Sequence, residues 1–146
     1  MQEVSVIIPN FNGMAYLDGV LAGLECQTVD DFEVILVDNG SSDGSCAFVA
    51  ARYPWVHLIE LPENFGFCKA VNEGIRASRS PYVLLLNNDI EVTDNFIEEM
   101  TDAIKRHPKA FSCAARMIQF HDRDRLDDAG NYYCALGWAY ARGKGK

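Results

Sequence analysis

The sequence predicts an α/β protein with a mostly parallel sheet and helices on both faces. Two observations support this fold class: apolar, strand-like runs alternate with helix-like segments four times, and each of those runs ends in polar or turn-forming residues. A third observation is the uninterrupted apolar run of Leu84, Leu85 and Leu86. Such a run is typical of a strand that is buried on both faces at the centre of a parallel sheet.

The first half of the chain supplies two strand–helix pairs. Residues 4–8 form the first predicted strand, which we expect to end at Pro9. Helical spacing of apolar residues then predicts a helix over residues 14–26. Residues 32–37 and 45–53 form the second predicted strand and helix. The stripe of the first helix consists of Leu17, Val20, Leu21 and Leu24.

The second half continues the same alternation. Residues 56–61 form a third strand, followed by a helix that ends near residue 78 and by the leucine-rich strand. A capped helix over residues 95–107 and a strand over residues 112–120 follow. After Asp127 the pattern weakens, and we predict a loop with at most one short strand.

Length and composition limit the function classes. We expect residues 1–146 to form a single domain, because the length and the 49% hydrophobic content suit one core. A formal net charge of −8 argues against nucleic acid as a partner, since phosphate backbones are bound by clustered Lys and Arg. The five cysteines form no CxxC pair, which predicts reduced, mostly buried thiols of a cytoplasmic protein. No apolar run reaches the length of a membrane span.

The residues that carry chemistry follow the strands. Because the carboxyl ends of parallel strands share one edge, which is where open α/β sheets bind ligands, these residues are expected to form one site. The four predicted strand ends carry Pro9, Asn10, Phe11 and Asn12, then Asp38, Asn39, Ser41, Ser42 and Asp43, then Asn64 and Gly66, then Asn87, Asn88 and Asp89.

Each of these residues has a functional and a structural interpretation. Asp89 is a ligand that a hard divalent cation prefers, or a residue that caps a helix or opens a turn. Asp38 can accept from a base N–H or from ribose hydroxyls, and backbone groups near Pro9 and Phe11 can line a flat ring; the loop is otherwise a polar turn. Lys69 can offset diphosphate charge or be a solvated helix residue.

Taken together, the segments resemble the N-terminal half of a family 2 glycosyltransferase of the GT-A, Rossmann-like fold. The segments that match, in order and separation, are VSVIIPNFNG (residues 4–13), VDNGSSDG (37–44), NFGFCKAVNEG (64–74) and LLLNND (84–89). The stretch from Asp127 to Gly145 also resembles rhamnosyltransferase-like members of the family.

The resemblance implies a reaction, a cofactor and partners. It implies inverting transfer of a sugar from a nucleotide-diphosphate sugar, with UDP or dTDP as the favoured nucleotide, to the hydroxyl of a saccharide or lipid-linked acceptor. Mn²⁺ or Mg²⁺ would assist the departure of the diphosphate. Family members often build cell-surface polysaccharide at the cytoplasmic face of a membrane, so peripheral membrane association is part of the expectation.

The resemblance also assigns roles to residues. Pro9 and Phe11 would line the base, Asp38 would bind it, and Asn39 stands where many members have a second Asp. The expected nucleotide-binding residues further include Asn10, Ser41, Lys69 near the diphosphate, Asn87 at the ribose side, and Asn88. Asp89 would hold the metal, in a segment where Asn87 replaces the first Asp of the family's Asp-X-Asp motif.

One expected element is missing from the sequence. An inverting transfer needs a general base, and no acidic residue follows Asp128. We therefore expect the base beyond Lys146, in a truncated acceptor half whose loss exposes apolar surface and favours a homodimer. The alternative is a non-catalytic donor-binding module. A dinucleotide-dependent oxidoreductase is disfavoured because GxGxxG is absent after the first strand, and a nucleotidyltransferase because a basic, Gly-rich opening loop is absent.

Overall fold

The computed structural model describes residues 2–135 and 139–146, and the chain divides into two compact units, Met1–Thr101 and Asp102–Lys146. The first unit contains a four-stranded parallel sheet in the order β3-β2-β1-β4. Its elements, with α4 continuing past the division, are β1 (Val4–Asn10), α1 (Met14–Glu25), β2 (Phe32–Asp38), α2 (Ser45–Arg52), β3 (His57–Glu60), α3 (Phe67–Ala77), β4 (Tyr82–Leu85) and α4 (Phe96–Arg106).

Helices cover both faces of this sheet, as the sequence predicts. The apolar stripe of α1 is fully buried and packs with Val49 of α2 and Ile97 of α4 on one face of β1 and β2. Helix α3 packs on the other face, against Ile7 and Ile35. At this contact Gly74 lets α3 approach β1 closely, since a Cβ there would lie 2.4 Å from Cγ2 of Ile7.

The prediction that β1 ends at Pro9 is wrong, because the strand continues to Asn10 and Pro9 pairs with Val37. Peptide groups of a strand alternate between its two sides, and the backbone carbonyl of Ile7 accepts from Leu86 on the β4 side. The backbone nitrogen of Pro9, two residues further along, therefore faces the same side, and this is the side on which proline offers no N–H. The paired residues of β4 have already ended there, so no sheet hydrogen bond is lost.

The prediction that the leucine-rich strand lies at the sheet centre, buried on both faces, is also wrong. Within the described chain β4 is an edge strand that pairs with β1. Val83 and Leu85 are 40% and 54% exposed, because they share the face of Ile7, where α3 packs over β1 and β2. An apolar run identifies a strand but does not specify which of its faces is covered.

The second unit is built from short antiparallel pairs. β5 (Met117–Ile118) pairs with β6 (Leu126–Asp128), and β7 (Asn131–Tyr133) pairs with β8 (Ala139–Ala141). The predicted strand over residues 112–120 is thus reduced to two residues, and three strands replace the predicted loop with at most one. Hydrogen bonds from Leu126 N to Lys146 O and from Gly145 N to Leu126 O close this unit.

Two further predictions concern thiols and membranes. Cys26, Cys68 and Cys113 are exposed, so the prediction of mostly buried thiols is wrong. Cys46 and Cys134 are half-buried. No helix among the described residues is both long enough and apolar enough to cross a membrane.

Candidate functional site

The carboxyl ends of β1 and β2 place Asn10 beside Asp38, and both side chains are buried. Asn10 Nδ2 donates to Asp38 Oδ1 at 2.8 Å, and the backbone N–H of Ser41 donates to Asp38 Oδ2 at 2.8 Å. A buried carboxylate is stable only when donors replace the lost water, and these two bonds supply them. The structure thus brings Asn10, Asp38 and Ser41 together at the carboxyl edge of the sheet.

The loop after β4 joins this network through Asn88. Its Nδ2 donates to Asn10 Oδ1 at 2.6 Å, so side-chain hydrogen bonds link the ends of β1, β2 and β4. Gly13 leaves the space that this bond occupies, because a Cβ there would lie 2.1 Å from Asn88 Nδ2 and 2.3 Å from Asn10 Oδ1. The link between Asn10 and Asn88 is a feature that sequence reasoning missed.

The two loops that follow β1 and β2 are fastened to each other. Asn12 takes the left-handed conformation with φ 49°, which Asn tolerates better than most residues. Its backbone N–H donates to Ser41 Oγ at 2.8 Å, and its Oδ1 accepts from the backbone N–H of Ser42 at 2.9 Å. These bonds hold the segment that presents Phe11.

Asn39 fastens the loop that enters α3. Its Nδ2 donates to Asn64 Oδ1 at 2.9 Å, and its Oδ1 accepts from the backbone N–H of Phe65 at 3.0 Å. Asn64 Oδ1 also accepts from the backbone N–H of Gly66 at 2.8 Å. Gly40, with φ +79°, lets the two loops touch, since a Cβ there would lie 2.6 Å from Cα of Glu63.

An open pocket of about 280 Å³ lies between these loops and the start of α3. Phe11 and Phe67 are 48% and 60% exposed at this pocket, which offers aromatic surface to a flat ring. Asn39 is among the lining residues and Asp38 is not. The lining consists of Pro9, Asn10, Phe11, Asn39, Asn64, Gly66, Phe67 and Ala70.

Cys46 lies directly against the buried carboxylate of Asp38. Burial raises the pKa of the Cys46 thiol to about 12. The carboxylates of Asp38 and Glu60, which accept a hydrogen bond from the thiol, add to this effect. The thiol is therefore protonated at neutral pH and can donate to Asp38. The chain pattern alone gives no signal for this contact.

Asp43, the last polar residue after β2, ties together the starts of α1 and α2. Its Oδ2 accepts from the backbone N–H of Met14 at 2.9 Å, and its Oδ1 accepts from the N–H and the hydroxyl of Ser45. These donors, the Ser45 hydroxyl first, hold the pKa of Asp43 below its ordinary value of 3.8. A carboxylate at two helix N-termini also interacts favourably with both dipoles.

The remaining predicted residues are less constrained. Lys69 lies in the first turn of α3, is half-exposed and forms an ion pair with Glu73, which Arg76 shares at 2.9 Å. Asn87 and Asp89 are exposed on the loop after β4. Among the described residues, no three His, Cys, Asp or Glu side chains form a group that could hold a metal ion.

A parallel sheet flanked by helices, with polar loops and an aromatic-lined pocket at the carboxyl ends of its strands, is the arrangement of an open α/β domain of the kind that binds ligands at this edge. The family model described as "Glycosyl transferase family 2" matches residues 5–144. The chain belongs to this family, and the resemblance noted in the sequence is confirmed.

Curated relatives include glycosyltransferases of several bacteria. The chain is 29% identical to the cholesterol galactosyltransferase of Borreliella burgdorferi, over 81% of the chain and 34% of that protein. It is 30% identical to the N-acetylglucosaminyl-diphospho-decaprenol L-rhamnosyltransferase of Mycobacterium tuberculosis, over 72% of the chain and 38% of that protein. The chain spans between 19% and 50% of the length of such relatives.

Solved structures support the GT-A fold. Staphylococcus aureus TarS in complex with UDP-GlcNAc has a TM-score of 0.66 and 26% identity, covering 74% of this chain and 32% of that one. A mannosyltransferase from Pyrobaculum calidifontis, solved in complex with GDP-Man and Mn²⁺, has a TM-score of 0.66 at 24% identity, covering 70% of this chain and 32% of that one, and shows the fold alone.

Proposed function

We propose that this chain binds the nucleotide diphosphate of a sugar donor and forms the donor-binding part of an inverting glycosyltransferase. The observation that carries the proposal is the aromatic-lined pocket beside the hydrogen-bonded ends of β1, β2 and β4. The TarS structures in complex with UDP and with UDP-GlcNAc, at 26% identity, support a nucleotide-sugar ligand. UDP and dTDP are the nucleotides we favour.

The pocket residues would divide the work of holding the nucleoside. Phe11 offers an exposed ring on which a base can stack, and Pro9 lines the same surface. Asn39 lines the pocket at its polar side. Asp38, buried below, would act through Ser41 and Asn10 by fixing the loops that face the ligand. Lys69 would approach the diphosphate by exchanging its bond to Glu73 for one to phosphate.

The oxygen-bearing side chains of the loop after β4 fit a divalent cation that arrives with the substrate. Mg²⁺ is usually held by one or two carboxylates, with substrate phosphates and water completing its shell. Asp89 supplies one exposed carboxylate, and Asn87, two residues earlier, is also exposed. We propose that Asp89 holds Mn²⁺ or Mg²⁺, with Asn87 at the ribose side. When bound, the cation would stabilise the negative charge of a departing diphosphate.

The second half of the reaction requires groups that take the acceptor. A general base must remove the proton of the acceptor hydroxyl, and no acidic residue follows Asp128 in this sequence. Because relatives are longer than this chain, we propose that the base and the site for a saccharide or lipid-linked acceptor lie outside residues 1–146. The alternative function is a donor-binding module without transferase activity.

The wider setting is part of the same proposal. Relatives include a putative teichuronic acid biosynthesis glycosyltransferase and a rhamnosyltransferase whose name contains a decaprenol-linked acceptor. We propose a cytoplasmic role in cell-surface polysaccharide synthesis, with peripheral association to the membrane that holds such an acceptor. The exposed face of β4 would favour dimerisation. A monomer mass that is independent of concentration in light scattering contradicts the dimer.

Calorimetric titration tests the donor site directly. UDP, dTDP and GDP are each titrated, with Mn²⁺ and again with EDTA, into wild type, Asp89→Ala and the control Asp30→Ala. The control removes an exposed carboxylate that precedes β2, near the opposite end of the strands. We expect one nucleotide to bind with Mn²⁺, and binding to weaken in Asp89→Ala but not in Asp30→Ala. Lack of binding by every nucleotide in both conditions refutes the proposed function of this chain.

Transfer assays separate the two candidate functions. We expect residues 1–146 to bind donor without measurable transfer to an added acceptor, whereas a chain extended to the length of the relatives transfers the sugar. An extended chain that binds the donor but neither transfers nor hydrolyses it supports the module instead.

A further inference from the structure

The side-chain amide of Asn10 is fully used within the protein. It is 2% exposed, its Nδ2 donates to Asp38 Oδ1 at 2.8 Å and to Ser41 Oγ at 3.3 Å, and its Oδ1 accepts from Asn88 Nδ2 at 2.6 Å. Both N–H donors therefore have partners that belong to the protein. The amide has no N–H left to offer a nucleotide, although the residue lines the pocket.

The orientation of this amide is fixed by its two neighbours. Reversing it would bring its oxygen against the carboxylate of Asp38 and its NH₂ group against the NH₂ group of Asn88. Both contacts would be repulsive, so only one orientation satisfies all three side chains. The hydrogen bonds of Asn10 thus fix the side chain of Asn88 relative to that of Asp38.

Asn88 extends the attachment of β4 to β1 into the loop. The backbone bond from Leu86 N to Ile7 O is followed, two residues later, by the side-chain bond from Asn88 to Asn10. Asp89 follows immediately and is exposed. The location of its carboxylate is therefore tied to the ends of β1 and β2 through Asn88.

We propose that Asn10 and Asn88 are positioning residues, whose hydrogen bond holds the loop that carries Asp89 at a fixed place relative to Asp38. This inference rests on the proposed function, in which Asp38 supports the nucleoside side and Asp89 holds the cation at the diphosphate. The pair would make the two ends of the nucleotide site a single unit. Loss of the pair should weaken the cation-dependent part of nucleotide binding more than the cation-independent part.

Gly13 provides a way to break the pair without altering either amide. A Cβ at residue 13 would occupy the space between Asn88 Nδ2 and Asn10 Oδ1, at 2.1 and 2.3 Å, while its φ of −104° suits alanine. Gly13→Ala must therefore push the two side chains apart. Gly19→Ala is the matched control, because it lies in α1 and its Cβ would meet nothing within 4 Å.

The first arm of the test measures nucleotide affinity by calorimetry with Mn²⁺ and with EDTA. We expect Gly13→Ala and Asn88→Ala to lose at least about tenfold of the gain in affinity that Mn²⁺ gives, a coupling loss of ordinary size. The affinity of Gly13→Ala in EDTA should stay within about threefold of wild type, and Gly19→Ala should change neither value. The proposal is overturned if Gly13→Ala and Asn88→Ala both keep wild-type affinity in both conditions. It is also overturned if the affinity of Gly13→Ala falls by the same factor with Mn²⁺ and with EDTA.

The second arm needs no ligand and separates this proposal from the proposed function. In Gly13→Ala without nucleotide, we expect hydrogen exchange of the Leu86 amide, which donates to Ile7 O just before the loop, to accelerate at least about tenfold, while the amides of β2 keep their wild-type rates. Unchanged exchange at Leu86 overturns the proposal, and so does general acceleration that reaches β2. If wild type binds no nucleotide, the proposed function fails, and local acceleration alone still supports the positioning role.

Discussion

The close approach of α3 to β1 gives a prediction whose size can be worked out from the structure. Gly74→Ala would place a methyl group 2.4 Å from Cγ2 of Ile7 and 3.2 Å from Cγ2 of Val37, and both of these residues are fully buried. Neither neighbour is a flexible side chain with room to move, because both are β-branched and lie within the sheet. The helix must therefore move outward or the core must strain.

Two opposing effects set the expected magnitude. Overpacking of a dense core costs about 1–3 kcal/mol, whereas replacing Gly by Ala inside a helix gains about 1 kcal/mol. Gly19→Ala in α1 has the second effect without the first, since its Cβ would meet nothing within 4 Å. The difference in free energy of unfolding between Gly74→Ala and Gly19→Ala therefore isolates the packing cost, which we expect to be about 1–3 kcal/mol.

Urea unfolding of wild type and the two variants, followed by circular dichroism, measures this difference. We expect Gly19→Ala to be at least as stable as wild type and Gly74→Ala to be the least stable of the three, with similar m values. Because α3 also carries Phe67 and Ala70 of the pocket, nucleotide binding should weaken in Gly74→Ala. Equal stability of the two variants refutes the argument from close packing.

Three further predictions follow from single side chains. Asp43 has a lowered pKa, so its contribution to stability is present above about pH 3.8 and is lost as the pH falls through its folded value. The stability gap between wild type and Asp43→Asn should therefore narrow in acid unfolding curves, and a gap that stays constant as the pH falls below 3.8 contradicts this. At pH 8 a thiol reagent should modify exposed Cys68 well before Cys46, whose pKa is about 12, as peptide mapping can show; equal rates contradict the burial of Cys46 against carboxylates. Phe11→Ala should weaken nucleotide binding about tenfold through lost stacking, while the control Phe111→Ala, fully exposed in the second unit, should leave it unchanged.

The sequence predicts the first unit well because local and global signals agree there. The stripe of α1 and the apolar residues of β2 have one arrangement that buries them, and the structure has it. The edge position of β4 was not predictable, because exposure of Leu85 depends on which helix covers it. The short strands after Asp102 lacked a signal, since antiparallel pairs of two or three residues show no clear alternation.

Prediction of the site was limited in a different way. Parallel topology brings strand ends together, so gathering Asn10, Asp38, Ser41 and Asn88 at one edge required no knowledge of side-chain geometry. Predicting which of these residues faces the pocket did require side-chain geometry. Asp38 accepts from Asn10 and Ser41 and is 1% exposed, whereas Asn39, one residue on, lines the pocket.

The hydrogen bonds of Asn39 explain why an amide suits this position. Asn64 Oδ1 already accepts from the N–H of Gly66, so its partner at residue 39 must be a donor. An ionised Asp at residue 39 would place a second oxygen against Asn64 Oδ1, close in sequence to the buried carboxylate of Asp38. Reversing the amide of Asn64 would satisfy the Asp but would leave the Gly66 N–H facing a donor. The amide at residue 39 thus keeps the loop before α3 hydrogen-bonded to the end of β2. Of residues 38 and 39, only Asp38 then carries a negative charge.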